Sequence, residues 1–342
     1  MKDKKTIRLE HGSGGVLTRQ LIEEIIYPYL KNDSYSELDD ASLFPSPAAP
    51  GEKLAFTTDS YVVDPPIFRG GNIGKLAVFG TANDLAVSGA EPLYMSLGVI
   101  LEQGFSIDDF ESIIKTLAQS AREANVKVIT GDTKVVPAGK GGGVFLNTAG
   151  IGRQVFPHSL GGSRVQIGDK VILSNHIGAH GVAILSQREG LELGTTIQSD
   201  CAFLYPLCRE LYSLGLDLRF LRDATRGGIA AVLNEVVEKR DFAIEIDEEA
   251  IPVLEDVKST IELLGLNLYE IANEGAFIAI MAADKAEEAV VRLKKHPSGS
   301  GSMAAIIGKV TQNHCSRVVV NTAIGGQRLL DFPRGLLLPR IC

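Results

Sequence analysis

The sequence ends in Pro339-Arg340-Ile341-Cys342, so its final residue sets a thiol beside the α-carboxylate. A tail containing Pro333, Gly335 and Pro339 can be threaded into a site, and its thiol can then carry a reacting group. The plainer alternative is a frayed terminus. Acidic residues recur beside small ones, in Asp39-Asp40-Ala41, Thr57-Thr58-Asp59-Ser60, Asn83-Asp84 and Gly131-Asp132-Thr133. Asp59 and Asp132 directly follow apolar strand-like segments, where loops of a rigid sheet converge on ligands. Carboxylates in such a set are what Mg²⁺ between protein and phosphate requires. Taken singly, each also reads as a loop cap or an Asx-turn. Lys134, two residues past Asp132, can bridge a terminal phosphate or stand as a solvated lysine at a strand end. Glu274, in Asn273-Glu274-Gly275 before the apolar run 276–281, can serve as a base if desolvated; otherwise it is a surface turn glutamate.

Three glycine-rich segments could approach phosphate: Gly12 to Gly15 (Gly12, Ser13, Gly14, Gly15), Gly70 to Gly74, and Lys140 to Gly143. Each lets backbone N–H groups come close to an anion, and the first two precede helical patterns. None has the spacing of a P-loop or of a dinucleotide-binding turn, so ordinary turns fit them equally well. A fourth nest of this kind is Thr225-Arg226-Gly227-Gly228. His11, His176 and His180 are not assigned as metal ligands, because Gly178 interrupts the only helical spacing among them.

The elements that must position these groups read as two halves. In the first, a helix runs through Leu17, Leu21, Ile22, Ile25 and Ile26 and ends before Pro28. The segment 35–51 reads as a loop, and Leu54 to Thr58 as a strand. A helix of small and apolar residues spans Ile73 to Val87 and is closed by Gly89. Tyr94 to Leu101 is a strand, and Asp108 to Ala124 an amphipathic helix capped by Ser106. Strands follow at Val126 to Thr130 and Val144 to Ile151. The pattern breaks near residues 155–168. The second half reads as strands at 170–174, 243–246, 276–281, 304–310 and 317–321, with helices at 181–187, 202–213 and 228–239. The expected domains are 1–157 and 158–332, with a mobile tail at 333–342. A chain of 342 residues suits two domains.

The net charge of −8, with no basic block, argues against nucleic acid. No apolar run approaches membrane length. The charged start, Met1-Lys2-Asp3-Lys4-Lys5, lacks the apolar core of a signal peptide. The four cysteines, Cys201, Cys208, Cys315 and Cys342, form no CxxC pair. That pattern fits a reducing cytoplasm, with Cys201 and Cys208 as small core residues.

Taken together, several motifs resemble the HypE family of hydrogenase maturation factors. They are His11-Gly-Ser-Gly-Gly15, Asp40-Ala41, the run from Thr57-Thr-Asp-Ser through Gly70-Gly-Asn-Ile-Gly-Lys and Asn83-Asp84 to Pro92, Gly131-Asp-Thr-Lys134, Asp223-Ala-Thr-Arg-Gly-Gly228, Asn273-Glu-Gly275 and the terminal Pro-Arg-Ile-Cys342. The match spans essentially the whole chain. The wider aminoimidazole ribonucleotide synthetase superfamily shares the Asp and Gly pieces without the tail. One departure is Arg69, where the family pattern has proline.

The resemblance implies an α/β (α+β) protein of two aminoimidazole ribonucleotide synthetase (PurM)-like domains, each a mixed sheet with helices, and a flexible C-terminal tail. It implies a cytoplasmic homodimer that binds ATP and Mg²⁺. Its partners would be the carbamoyltransferase HypF and the scaffold proteins HypC and HypD. The implied reaction is ATP-dependent dehydration of a carbamoyl group on Cys342 to a thiocyanate, the source of the cyanide ligand on the [NiFe] hydrogenase iron. Cys342, Glu274 and Lys134 would be catalytic. Gly12, Ser13, Gly14, Gly15, Asp40, Asp59, Asn83, Asp84, Asp132 and Thr133 would bind the nucleotide, and Asp59, Asp84 and Asp132 the metal. Two other readings remain open at this point. One is a superfamily kinase or ligase acting on a free small molecule; the glycine-rich loop lacks the cysteine of the selenophosphate version. The other is a nucleotide-regulated docking module.

Overall fold

The computed structural model describes residues 6–13, 15–33, 44, 46–188 and 197–334. These form two compact units. The first takes the chain through Leu85 and again from Ala90 to Gln154; the second takes Ala86–Gly89 and the chain from Val155 onward.

In the first unit, α1 (Val16–Leu21) is followed by a π-helical turn (Ile22–Ile26) and α2 (Tyr27–Leu30). The helical path therefore continues through Pro28, where a stop was expected. Proline lacks an N–H and crowds the carbonyl one turn back. Here the wider π turn lies directly before it and makes room for the ring within the continuous helical path.

The sheet holds β1 (Leu54–Tyr61), β4 (Ala90–Glu102), β5 (Lys127–Val136) and β6 (Val144–Gln154) in the order β1-β6-β4-β5. β4 and β5 run parallel, and the other neighbours antiparallel. A two-residue ribbon, β2 (Ile67–Phe68) with β3 (Gly71–Asn72), leads into α3 (Ile73–Val87). Apolar and small residues surround α3 on every side, and Ile73, Leu76, Ala77 and Thr81 are fully buried. A helix without a polar face must lie inside. The helix α4 (Ile107–Glu123) is amphipathic; Phe110, Ile113, Ile114 and Leu117 form its buried stripe, and the Ser106 hydroxyl accepts from the Asp109 N–H at 3.2 Å.

One face of this sheet is covered and the other open. Met95, Leu97, Val99 and Leu101 of β4 are buried, whereas Phe56, Leu54 and Ile100 on the other face are 72, 49 and 42 % exposed.

The second unit is a seven-stranded sheet in the order β13-β12-β9-β11-β7-β10-β8. Its strands are β7 (Lys170–Leu173), β8 (Leu218–Asp223), β9 (Ala243–Asp247), β10 (Phe277–Met281), β11 (Ala305–Thr311), β12 (Val318–Asn321) and β13 (Gln327–Leu329), with only β9 and β12 parallel. Alternate residues of the central strands feed two cores. Ile278 and Ile280 join one, with Ile229, Leu233 and Val236 of α7 (Gly228–Val237); Phe277, Ala279 and Met281 join the other, with Leu207 and Leu211 of α6 (Tyr205–Tyr212). The remaining helices are α5 (Ala179–Arg188), α8 (Glu255–Leu264) and α9 (Ala283–Lys295).

Four of these elements are absent from the sequence reading: β8, β13, α8 and α9. In β8 two arginines interrupt the apolar pattern. Arg219 pairs with Asp169 at 2.9 Å, and Arg222 with Glu235 of α7. α6 starts at Tyr205 rather than Ala202, with Pro206 in its first turn.

Candidate functional site

Asp59 and Asp132 lie within strands, not past their ends. β1 runs to Tyr61 and β5 to Val136. Both are edge strands, which need only one satisfied ladder and so admit polar residues freely. On β1, alternation sets Thr57, Asp59 and Tyr61 on the side facing α3. The Thr57 hydroxyl donates to Asp84 Oδ2 of α3 at 3.0 Å, and the Tyr61 hydroxyl meets the Thr81 hydroxyl at 3.0 Å. Asp59 sits between these two tethers; its Oδ1 accepts from the Ser60 N–H at 2.7 Å. Asn83, beside Asp84, is buried. The structure therefore brings Asp59 and Asp84 to one edge of the first sheet.

Asp132 and Lys134 stand at the opposite edge. Asp132 aligns through Gly98 and Asn147 with Ser60, on the open face, while Asp59 aligns through Thr148 with Leu97, on the covered one. Three strand spacings, about 14 Å, separate the edges. The three carboxylates expected to share one metal ion thus do not meet within a single chain. Among the described residues no group of three or more His, Cys, Asp or Glu is placed to hold a metal. Lys134 pairs with Asp132 at 3.2 Å, with both side chains largely exposed. Thr133 between them is buried.

The N-terminal glycine loop reaches this second edge. A side chain at Gly12 would run into the backbone nitrogen of Val135, so glycine permits the contact. Ser13 is tied back to the Glu10 carbonyl, and Gly15 precedes α1. Between the helical segment and β5 lies a cavity of about 160 Å³, lined by Gly12, Thr18, Ile22, Leu97, Val99 and residues 130–134 among others. It joins Gly12, Asp132, Thr133 and Lys134 in one place. Gly14, Asp40 and Cys342 lie outside the described residues.

The other two long glycine segments are already committed to partners within the protein. The Asn72 side chain accepts the N–H groups of Gly74 and Lys75 at 2.9 and 3.2 Å, capping α3, and a Cβ at Gly74 would crowd the Ile113 carbonyl. The loop 139–143 closes around the Glu102 carboxylate, which accepts from Gly139 and, at 2.9 Å, from Gly143. These bonds hold the Glu102 carboxyl below its usual range. Both segments therefore serve packing and loop closure.

In the second unit, Glu274 is 5 % exposed, so it is no surface turn glutamate. The Asp200 carboxylate accepts from the N–H groups of Glu274 at 3.1 Å and Gly275 at 3.2 Å. Asn273 is wholly buried; its side chain donates to the carbonyls of Ala224 and Ile271 and accepts from the Gly178 N–H. His180 is also enclosed, with Nδ1 at 2.8 Å from the Ser199 hydroxyl, and burial pushes it down to about 3. Cys201 and Cys208 are buried, as expected, and burial raises the Cys208 thiol.

Glu102 and Asp200 are structurally consequential residues that sequence reasoning missed, and Thr57 and Asn72 stood within quoted motifs without the roles seen here. Asp200 lies 74 residues from its partner, and Glu102 lies 37 and 41 from its two, so no local pattern marks either.

Two-domain chains of this kind form a recognised class. Residues 38–154 match the AIR synthase related protein N-terminal domain, and residues 166–321 its C-terminal domain. At full length the likeness is narrower. The carbamoyl dehydratase HypE of Rhizobium leguminosarum bv. viciae is 45 % identical over 337 residues, covering 98 % of this chain and 95 % of that protein. A crystal structure of the hydrogenase maturation protein HypE in complex with ATP aligns with a TM-score of 0.91 at 40 % identity, covering 98 % of this chain and 99 % of that one. A HypE–HypF complex aligns at 0.79 and 40 % identity, covering 92 % and 99 %. The chain belongs to the HypE family of carbamoyl dehydratases.

Proposed function

We propose that this chain is an ATP-dependent carbamoyl dehydratase of [NiFe] hydrogenase maturation, acting in the cytoplasm on a carbamoyl group carried by Cys342. The observation that carries this reading is the 45 % identity to a carbamoyl dehydratase over 98 % of the chain. The relative solved with ATP supports a nucleotide substrate, and the relative solved with HypF supports that protein as carbamoyl donor. The cyano group would pass to iron held by HypC and HypD.

Removing water from an amide in water needs an activated oxygen. The carbamoyl oxygen attacks the γ-phosphorus, ADP leaves, and one N–H proton is lost, leaving an O-phosphorylated imidate on sulfur. A base then takes the second N–H proton; the nitrogen lone pair closes the C≡N bond and phosphate departs with the C–O electron pair. The sum is thiocarboxamide plus ATP to thiocyanate, ADP, phosphate and a proton. Such transfers ask the protein mainly for positioning and charge neutralisation. Lys134 stabilises the γ-phosphate, with Thr133 and the Gly12–Gly15 loop beside it. Glu274 is the nitrogen base. Arg340 docks the tail.

Asp59 and Asp84 fit Mg²⁺, which characteristically takes one or two carboxylates and completes its shell with phosphate oxygens and water. When bound, the ion neutralises charge on the phosphates. Asp132 and Asp40 complete the assigned acidic set. A homodimer accounts for the open face of the first sheet, where Phe56 and Ile100 are exposed. A two-fold axis along the strands of two stacked sheets sets β1 of each copy against β5 of the other, and so gathers the two acidic edges.

Substituting Cys342→Ala tests the carrier role. ATP binding persists and cyanide-bearing product disappears; product formation by this variant would contradict the reading. A kinase acting on a free metabolite would keep its ATP turnover in the same variant.

A further inference from the structure

We infer that Asp200 is the positioning residue for Glu274, an inference resting on the assignment of Glu274 as the nitrogen base. The Asp200 carboxylate spans two consecutive peptide groups, accepting from Glu274 N–H at 3.1 Å through Oδ1 and from Gly275 N–H at 3.2 Å through Oδ2. Bonds to an ionised acceptor are roughly twice as strong as neutral ones. Two residues on, the Ala202 N–H donates to the Glu274 carbonyl at 3.1 Å. The segment 200–202 therefore holds residue 274 by both its N–H and its C=O.

The opposite side is clamped as well. Asn273 is fixed to Ala224, Ile271 and Gly178. At Gly275 a side chain would run into the Asp200 carbonyl oxygen, so only glycine allows the two segments to close this tightly. Residues 197–204 belong to no helix or strand. Both of these Asp200 bonds go to the backbone that carries Glu274. A glutamate has three rotatable bonds, and a small turn of the peptide beneath it swings the carboxylate through a large arc. Proton abstraction is sensitive to displacements of about 1 Å, which can cost on the order of 100-fold in rate. Asp200 acts on the reaction through Glu274 and is assigned no contact with substrate.

The test uses full-length protein, carbamoylated and followed through a single turnover with ATP. Asp200→Asn replaces one accepting oxygen by an N–H donor and breaks one of the two ties. The expected result is dehydration slowed between about 10- and 100-fold, with ATP affinity and carbamoyl loading unchanged. Coupling gives the decisive readout: the double variant Asp200→Asn, Glu274→Gln is no slower than Glu274→Gln alone, because a displaced base that is already absent costs nothing. An Asp200→Asn rate equal to that of the unaltered protein, or full multiplication of the two effects, would overturn the inference. Wild-type turnover by Glu274→Gln would instead overturn the base assignment, and the Asp200 role with it. Should Asp200→Asn fail to fold, amide hydrogen exchange of the unaltered protein decides the geometry. The Glu274 and Gly275 amides are then expected to be slow; exchange at unprotected rates would overturn the inference.

Discussion

The Thr57 hydroxyl donates to Asp84 Oδ2 at 3.0 Å and so ties the edge strand β1 to α3. This bond fixes the carboxylate of α3 relative to Asp59, two residues along the same face of β1. Replacing Thr57 by valine keeps the branched shape and removes the donor. The expected loss is about 1 kcal/mol of stability, the net worth of one hydrogen bond, together with weaker Mg²⁺·ATP binding. Urea unfolding and calorimetric titration of the variant check both effects.

Asp59→Asn and Asp84→Asn each remove one negative charge from the edge assigned to the metal. Each is expected to weaken Mg²⁺·ATP binding at least tenfold, about 1.4 kcal/mol, with the fold retained. Titration with ATP at fixed Mg²⁺ measures it. Unchanged affinity in both variants would remove these residues from the metal assignment.

The Glu102 carboxylate gathers the N–H groups of Gly139 and Gly143. Glu102→Ala is expected to open the loop 137–143 to proteolysis while leaving ATP affinity within a factor of about two, since these N–H groups are not assigned to phosphate. Limited digestion with mapped cleavage sites, beside an ATP titration, gives the answer. A large loss of ATP binding would restore the phosphate reading of this loop.

His180 supplies the pH prediction. Burial holds it at about 3, below the ordinary value near 6.5. The unfolded chain therefore takes up a proton first as pH falls. Stability is full above about pH 6.5 and declines by about 1.4 kcal/mol per pH unit below it, until the folded-state value is reached. His176, also lowered by burial, adds in the same direction. Between pH 7 and pH 5 His180 alone accounts for about 2 kcal/mol. His180→Gln should remove that share of the acid sensitivity, as read from urea midpoints at the two pH values. An unchanged slope would show that His180 does not control it.

What could be read from the sequence was local. The helix at 73–87 and the Ser106-capped helix after it are visible because small residues, apolar spacing and a cap stand together in one window. The two halves were legible from the chain length and the break in pattern near residues 155–168, and the family from motifs distributed along the chain. Edge strands hid their lengths: β1 and β5 continue through Asp59 and Asp132 because an edge tolerates charge. β8 was concealed by Arg219 and Arg222, whose partners Asp169 and Glu235 are far or out of pattern in sequence. The glycine segments looked alike as strings and differ in space. Gly12 approaches Val135, Gly74 packs on Ile113, and the loop ending at Gly143 closes on Glu102. Glu274 could be read as a base or as a surface turn residue, because its burial and the bond from its N–H to Asp200, 74 residues away, are long-range facts that no periodicity reveals.

The central claim is that the carbamoyl oxygen leaves as part of phosphate after activation by ATP. Loading Cys342 with a carbamoyl group bearing heavy oxygen, adding ATP for one turnover, and measuring the isotope content of the released inorganic phosphate tests it most directly. The account predicts that the heavy oxygen appears in phosphate, in step with formation of the thiocyanate. Heavy oxygen recovered in water, with unlabelled phosphate, would contradict it.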